Sequence, residues 1–235
     1  NGMTDVENVT VTNSGTASTV DVDTTSNVTS VTVSGDAVNA DITSVAIDDN
    51  GAAATLTVAA ADVLTNVSVF GTTGTVAVNT DVLETLSLTG VGGLTTVTDA
   101  TVTSVRALTL NVGAGTITGV TDAGADTVTI NSTGAVTNTG TITVAQATTV
   151  DINADFAIAA GVLTAAAATA VNITGDSLVT MDLTPAATAA VTVSGSAGLK
   201  DVTTGTAVSF TNSGTGAVTL GATTVTAGLP VAATF

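Results

Sequence analysis

Along this chain an apolar residue, a small polar residue and a second apolar residue recur ahead of a turn. Eleven such anchors begin at Val9, Val31, Val45, Val67, Leu86, Leu108, Val128, Val150, Val171, Val191 and Val208, each with an apolar partner two residues on. The residue between is polar in ten of the eleven, Ala46 being the exception. Alternation with period 2 predicts a short β-strand with one buried face at each anchor.

The anchors lie 22, 14, 22, 19, 22, 20, 22, 21, 20 and 17 residues apart, a mean of about 20. The clearest copy is Asp62-Val63-Leu64, Val67-Ser68-Val69 and Gly71, which returns 19 residues later as Asp81-Val82-Leu83, Leu86-Ser87-Leu88 and Gly90. A self-similar unit of this length predicts a solenoid. The expected fold is all-β: a parallel β-solenoid of about eleven coils, each of two or three short strands, stacked at about 4.8 Å per turn into a rod roughly 50 Å long. Tandem antiparallel sandwiches would also show strands at this density, but they give no reason for a 20-residue copy.

Corners come in two forms. Gly35, Gly71, Gly90, Gly175 and Gly195 each lie four residues after an anchor, where a sharp corner needs positive φ. Longer corners carry glycine six residues on, in Asn13-Ser14-Gly15, Asp49-Asn50-Gly51, Asn131-Ser132-Thr133-Gly134 and Asn212-Ser213-Gly214. The next strand begins later after most long corners, at Val20, Leu56 and Val218, and earlier after short ones, as at Val76 and Val179, so both forms feed one second wall. The 14-residue interval from Val31 to Val45 breaks the scheme, which points to a misplaced anchor near residues 36–41 or an irregular coil there. Alanine-rich stretches 52–61 and 157–170 favour helix by propensity, yet they fall in phase with the repeat and are read as strands. No linker or composition shift divides the chain, so residues 1–235 form a single solenoid domain, expected to be a segment of a longer surface protein.

Composition sharpens this picture. Valine and threonine dominate, aromatics make up 2%, and Trp, Tyr, Cys and His are absent, which suits many short stacked strands. Nineteen acidic residues against Arg106 and Lys200 give a net charge of −17. With no basic patch, nucleic acid is not expected as a partner, and neither is an anionic membrane surface. No apolar run is long enough for membrane insertion. Such an acidic surface suits a cation-rich medium outside the cell.

The units Asp5-Val6-Glu7-Asn8-Val9-Thr10-Val11, Asp81-Val82-Leu83-Glu84-Thr85-Leu86-Ser87-Leu88 and Thr103-Ser104-Val105-Arg106-Ala107-Leu108-Thr109-Leu110 resemble repeats of bacterial surface proteins. These are the S-layer proteins of the Caulobacter and Campylobacter kind and related adhesins exported by type I secretion. The resemblance spans nearly the whole chain through degenerate motifs. It implies a right-handed solenoid, an extracellular lattice on the cell surface, calcium dependence and attachment to lipopolysaccharide or another surface glycan. The glycine-aspartate nonapeptide that binds calcium in such proteins is missing, Val91-Gly92-Gly93-Leu94 being a lone glycine pair.

Enzymatic readings fare badly. There is no histidine to activate a serine, and the two basic residues stand about five units apart. Asp122 with Asp126 could act as a glycosidase carboxylate pair, but only four Phe exist to offer sugar platforms. The chain is expected not to be an enzyme. Carboxylates are the better lead. Asp62 and Asp81 hold the same place in adjacent units, so in-register stacking would set like charges on neighbouring rungs unless a cation neutralises them. Ca²⁺ is the expected ion, with Asp62, Asp81, Asp48 and Asp49 the leading ligands and Asp21 with Asp23 a further cluster.

The expected function is a structural protein of the cell exterior, self-associating into a lattice or filament. A stalk that spaces an adhesin from the cell is the rival. Repeated Thr-x-Thr, as at Thr10/Thr12 and Thr141/Thr143, is similar to that of flat ice-binding solenoids, a minor reading because coil spacing looks too uneven for a regular array.

Overall fold

A computed structural model describes residues 8–12, 18–23, 30–34, 42–48, 55–59, 64–98, 105–138, 140–186, 188–201, 209–220 and 223–225. Within them the regular secondary structure is β-strand. In chain order these are β1 (Asn8–Thr12), β2 (Ser18–Asp23), β3 (Ser30–Ser34), β4 (Ile42–Asp48), β5 (Thr55–Ala59), β6 (Asn66–Phe70), β7 (Val76–Asn79) and β8 (Thr85–Thr89). There follow β9 (Leu94–Thr98), β10 (Ala107–Val112), β11 (Gly115–Ile117), β12 (Gly119–Asp122), β13 (Thr127–Ser132), β14 (Val136–Asn138), β15 (Thr141–Val144) and β16 (Thr149–Ala154). The last are β17 (Ile158–Ala165), β18 (Ala170–Gly175), β19 (Leu178–Pro185), β20 (Ala190–Val193), β21 (Gly198–Asp201), β22 (Ser209–Asn212), β23 (Val218–Leu220) and β24 (Thr223–Val225).

Alternate strands go to alternate sheets. The first sheet runs β1-β3-β5-β7-β9-β12-β15-β17-β19-β21-β23-β24 and the second β2-β4-β6-β8-β10-β13-β16-β18-β20-β22. Among the described residues every pairing between consecutive coils is parallel, as in β6 with β8 or β15 with β17, and only β23 with β24 is antiparallel. This is the parallel β-solenoid that the repeat predicts. From Leu64 to Asp201, where description is nearly continuous, the second sheet contributes β6, β8, β10, β13, β16, β18 and β20, about seven turns.

The core lies between the two sheets. In β10 and β13 the pattern from outside to inside alternates without a break, so Leu108, Leu110 and Val112 stack on Val128, Ile130 and Ser132. Along the second sheet Val45, Val67, Leu86, Leu110, Ile130, Ile152, Ile173 and Val193 form one buried column. Each such side chain, fully withdrawn from water, contributes about 1.5–3 kcal/mol. The β-branched members suit the column because their stiff side chains pack well against neighbours on a pleated surface.

Three expectations change. The anchors do not share one wall: Val9 and Val31 lie in the first sheet, and Val45 to Val191 in the second. The 14-residue interval is therefore a step across the coil from one sheet to the other, and β2, carrying Val20, supplies the missing strand of the second sheet. Ten strands, not eleven, form that sheet among the described residues. Register also shifts one anchor, because Leu86 pairs with Leu110 rather than Leu108. At the last coil Phe210 is the partner of Val191, while Val208 lies outside the described residues. True coil lengths on this sheet then run from 19 residues (Val67 to Leu86) to 25 (Val20 to Val45).

In the middle of the rod the first sheet is split. β11 pairs with β14 beside the main path, and both halves merge in β17, whose register shifts between Ala159 and Val162. The alanine-rich run 157–170 is strand, tight turn and strand, the turn closed by Ala168 N donating to Ala165 O at 2.9 Å. Gly71, Gly90, Gly175 and Gly195 have positive φ as expected, Gly115 joins them, and Gly35 lies outside the described residues.

Candidate functional site

Arg106 sits just ahead of β10, in phase with its buried positions Leu108, Leu110 and Val112. Val105 is 90% exposed and Arg106 is buried, the opposite of what side-chain polarity alone would choose. The reason is Asp122. On β12 it takes an inward position between Val97 and Val144, so the valine column of the first sheet is interrupted by a carboxylate. Arg106 Nη2 donates to Asp122 Oδ1 at 2.7 Å and Oδ2 at 2.8 Å, and Nη1 donates to Leu83 O at 3.1 Å. The side chains are 3% and 0% exposed.

The surrounding backbone completes the cluster. Asp122 Oδ1 accepts from Gly124 N at 3.0 Å and Ala125 N at 2.9 Å, and Asp126 Oδ2 accepts from Arg106 N at 2.9 Å. A desolvated charge pair is tolerated when its remaining lone pairs and protons are engaged; here partners come from three consecutive coils, while Arg106 Nε stays buried with no hydrogen-bond acceptor. Asp122 and Asp126, the glycosidase candidates, are thus both employed in holding Arg106. Alternation contained the signal: Asp122 falls in phase with Val120, an inward position, and an acid there calls for one of only two cations. The other, Lys200, points outward on β21.

Outside Arg106 lies a surface pocket of about 450 Å³, lined among others by Asp81, Glu84, Thr85, Val105 and Thr109. Asp81, one of the expected calcium ligands, is half-buried there. Asp48 is exposed at the end of β4 and is the register partner of Asp23 on β2, while Asp21 is exposed opposite Ala46. Asp23 and Asp48 are therefore on neighbouring rungs; Asp49 and Asp62 lie outside the described residues. Among the described residues no three acidic, histidine or cysteine side chains converge on one point as a cation cage.

Two outward features run along the sheets, the second being the regular threonine array that uneven coil spacing argued against. On the second sheet a side-chain ladder climbs five coils. Asn111 donates to Ser87 Oγ at 3.1 Å, Asn131 to Asn111 Oδ1 at 3.0 Å, Asn153 to Asn131 Oδ1 at 2.7 Å, and Thr174 Oγ1 to Asn153 Oδ1 at 2.6 Å. An amide both donates and accepts, so identical residues stacked in register satisfy each other. On the first sheet the register aligns Thr10, Thr32, Thr57, Ala77, Thr96, Thr121, Thr143, Thr164 and Thr184 in one outward column. Uneven coil length does not disturb this array, because the corners absorb the difference and the hydrogen-bond register sets the rungs.

No known protein-family model matches the chain, and no curated protein or solved structure matches it.

Proposed function

We propose that this chain is a structural, non-catalytic segment of a cell-exterior protein, a subunit that self-associates into a surface layer or filament. The observation that supports the reading is the continuous two-sheet solenoid whose outward side chains repeat in register from coil to coil. Such a rod offers long uniform flanks, the geometry that lateral assembly uses. The charge of −17 opposes side-by-side packing, and sodium chloride screens it only over about 8 Å at physiological strength. A divalent ion bridging carboxylates of two copies converts that repulsion into attraction, so Ca²⁺ is the proposed co-factor of assembly, with Asp81, Asp48 and Asp62 the proposed contributors. The partner on the cell is proposed to be lipopolysaccharide or another surface glycan.

Electron microscopy of the purified chain with and without calcium tests this. Ordered sheets or filaments that dissolve in EDTA and fail to form in an Asp62→Asn/Asp81→Asn variant are expected. Persistent single rods would favour the stalk of an adhesin instead, and assemblies that sodium chloride restores as well as calcium would remove the bridging ion.

A further inference from the structure

The outward side of the first sheet differs from the rest of the surface. From β1 to β17 none of its strands turns a charged side chain outward, although the chain has nineteen acids. Asp122 is the one acid in those strands, and it points into the core. The first outward charges are Asp182 on β19 and Lys200 on β21, at one end of the rod. The second sheet, by contrast, displays Asp21, Asp48 and Asp151.

This uncharged face is also built to meet a copy of itself. A threonine hydroxyl both donates and accepts, so a threonine column is complementary to another. β-branched side chains have little rotamer freedom to lose on contact. Leu94, 45% exposed and two residues from Thr96 on the same face of β9, adds apolar area beside the column. Two identical solenoids share one rung spacing of about 4.8 Å, so their threonines stay in phase along the whole contact. From β1 to β17 the uncharged strands span seven steps of that size, a strip about 34 Å long; at about 15 Å wide it would bury roughly 1,000 Å² in total, the size that a specific interface has to clear. Contact through the outward side of the second sheet brings carboxylates together instead.

We infer that the outward face of the first sheet docks onto the same face of a second copy, forming an isologous pair about a two-fold axis. The inference rests on the self-assembly reading above and specifies the surface that carries it. Higher ionic strength strengthens this pairing, because it screens the acids elsewhere and leaves the neutral contact intact.

Sedimentation velocity in high sodium chloride, without calcium, tests it on four chains: the unmodified protein, Thr96→Glu and Thr96→Lys at the middle of the column, and Thr192→Glu at an outward position of the second sheet. Far-UV circular dichroism verifies that each is folded. The unmodified chain and Thr192→Glu are expected to dimerise equally, Thr96→Glu and Thr96→Lys each to associate at least tenfold more weakly, and an equimolar mixture of those two to recover the dimer. A readout that needs no variant is hydroxyl-radical footprinting, in which Leu94 gains protection with rising concentration and Phe156, exposed at a corner, does not. If Thr96→Glu dimerises as well as the unmodified chain, this face is wrong while self-assembly stands. If the unmodified chain pairs through this face but builds no extended assembly, the surface-layer reading fails and the docking face stands. A monomeric unmodified chain overturns the inference, and one that also shapes ice crystals assigns the threonine column to ice.

Discussion

Arg106 reaches Asp122 through the interior with both carboxylate oxygens within 2.8 Å of Nη2, linking the start of a second-sheet strand to the core side of a first-sheet strand. The pair is a pin through the coil. Replacing Arg106 by Leu strands Asp122 in an apolar column and is expected to destabilise the chain by about 3–5 kcal/mol. The double variant Arg106→Leu/Asp122→Val is expected to lose less than either single change, though not to recover fully, because Gly124 N and Ala125 N then lack their acceptor. Urea denaturation of the three variants measures this; equal losses in single and double would refute the coupling.

Thr95 occupies the inward column between Val76 and Val120, and its buried Oγ1 has no hydrogen-bond partner. Thr95→Val keeps the shape and removes the orphaned hydroxyl. It is expected to raise stability by about 1 kcal/mol, seen as a higher thermal midpoint. A lower midpoint would mean that the hydroxyl is satisfied in solution.

Gly175 and Gly90 both have positive φ, at 109° and 63°, but they differ in space. A Cβ on Gly175 would lie 2.5 Å from the Ala154 carbonyl, whereas on Gly90 the nearest atom is 3.9 Å away. Gly90→Ala is expected to cost about 1 kcal/mol from backbone strain alone, and Gly175→Ala clearly more. Reversal of that order in chemical denaturation would contradict the corner geometry.

Asn131 is the middle of the amide ladder, bonded above and below, whereas Ser87 closes one end. Asn131→Ala is expected to cost about 1 kcal/mol and Ser87→Ala less, both smaller than the loss at Arg106 because the ladder is half-exposed. Hydrogen exchange is the direct check: amides of β10, β13 and β16 should lose protection together in Asn131→Ala, and only those near β8 in Ser87→Ala.

The repeat was legible because alternation and corner glycines are local. Val67 with Leu86 and Val171 with Val191 needed nothing more than period 2 and spacing. What alternation cannot say is which sheet a strand joins, since both have the same in-out pattern. Alternation alone therefore puts Val9 and Val31 on the same wall as Val45, whereas they belong to the other. Nor can it choose a phase where three apolar residues alternate, as in Leu108, Leu110 and Val112, any of which could have faced Leu86. The Arg106 site was hidden for a different reason. Its partner is 16 residues away on the opposite sheet, and that closeness exists only once a coil has been closed. The outward columns were missed because uneven chain spacing looks irregular until hydrogen bonds between coils fix the rungs.

In this solenoid the strands lie across the rod and their backbone hydrogen bonds run along it. Tension between the two ends of the chain therefore loads one turn at a time, peeling it open, and never shears a whole sheet at once. A released turn of about 21 residues yields roughly 70 Å of extended chain in exchange for about 5 Å of rod. Under pull the molecule behaves as an extensible tether: peak force is limited by the strength of a single turn, and length is supplied by the rest. Force spectroscopy should show a sawtooth of nearly equal steps, with the tallest tooth where Arg106 pins its coil to the next.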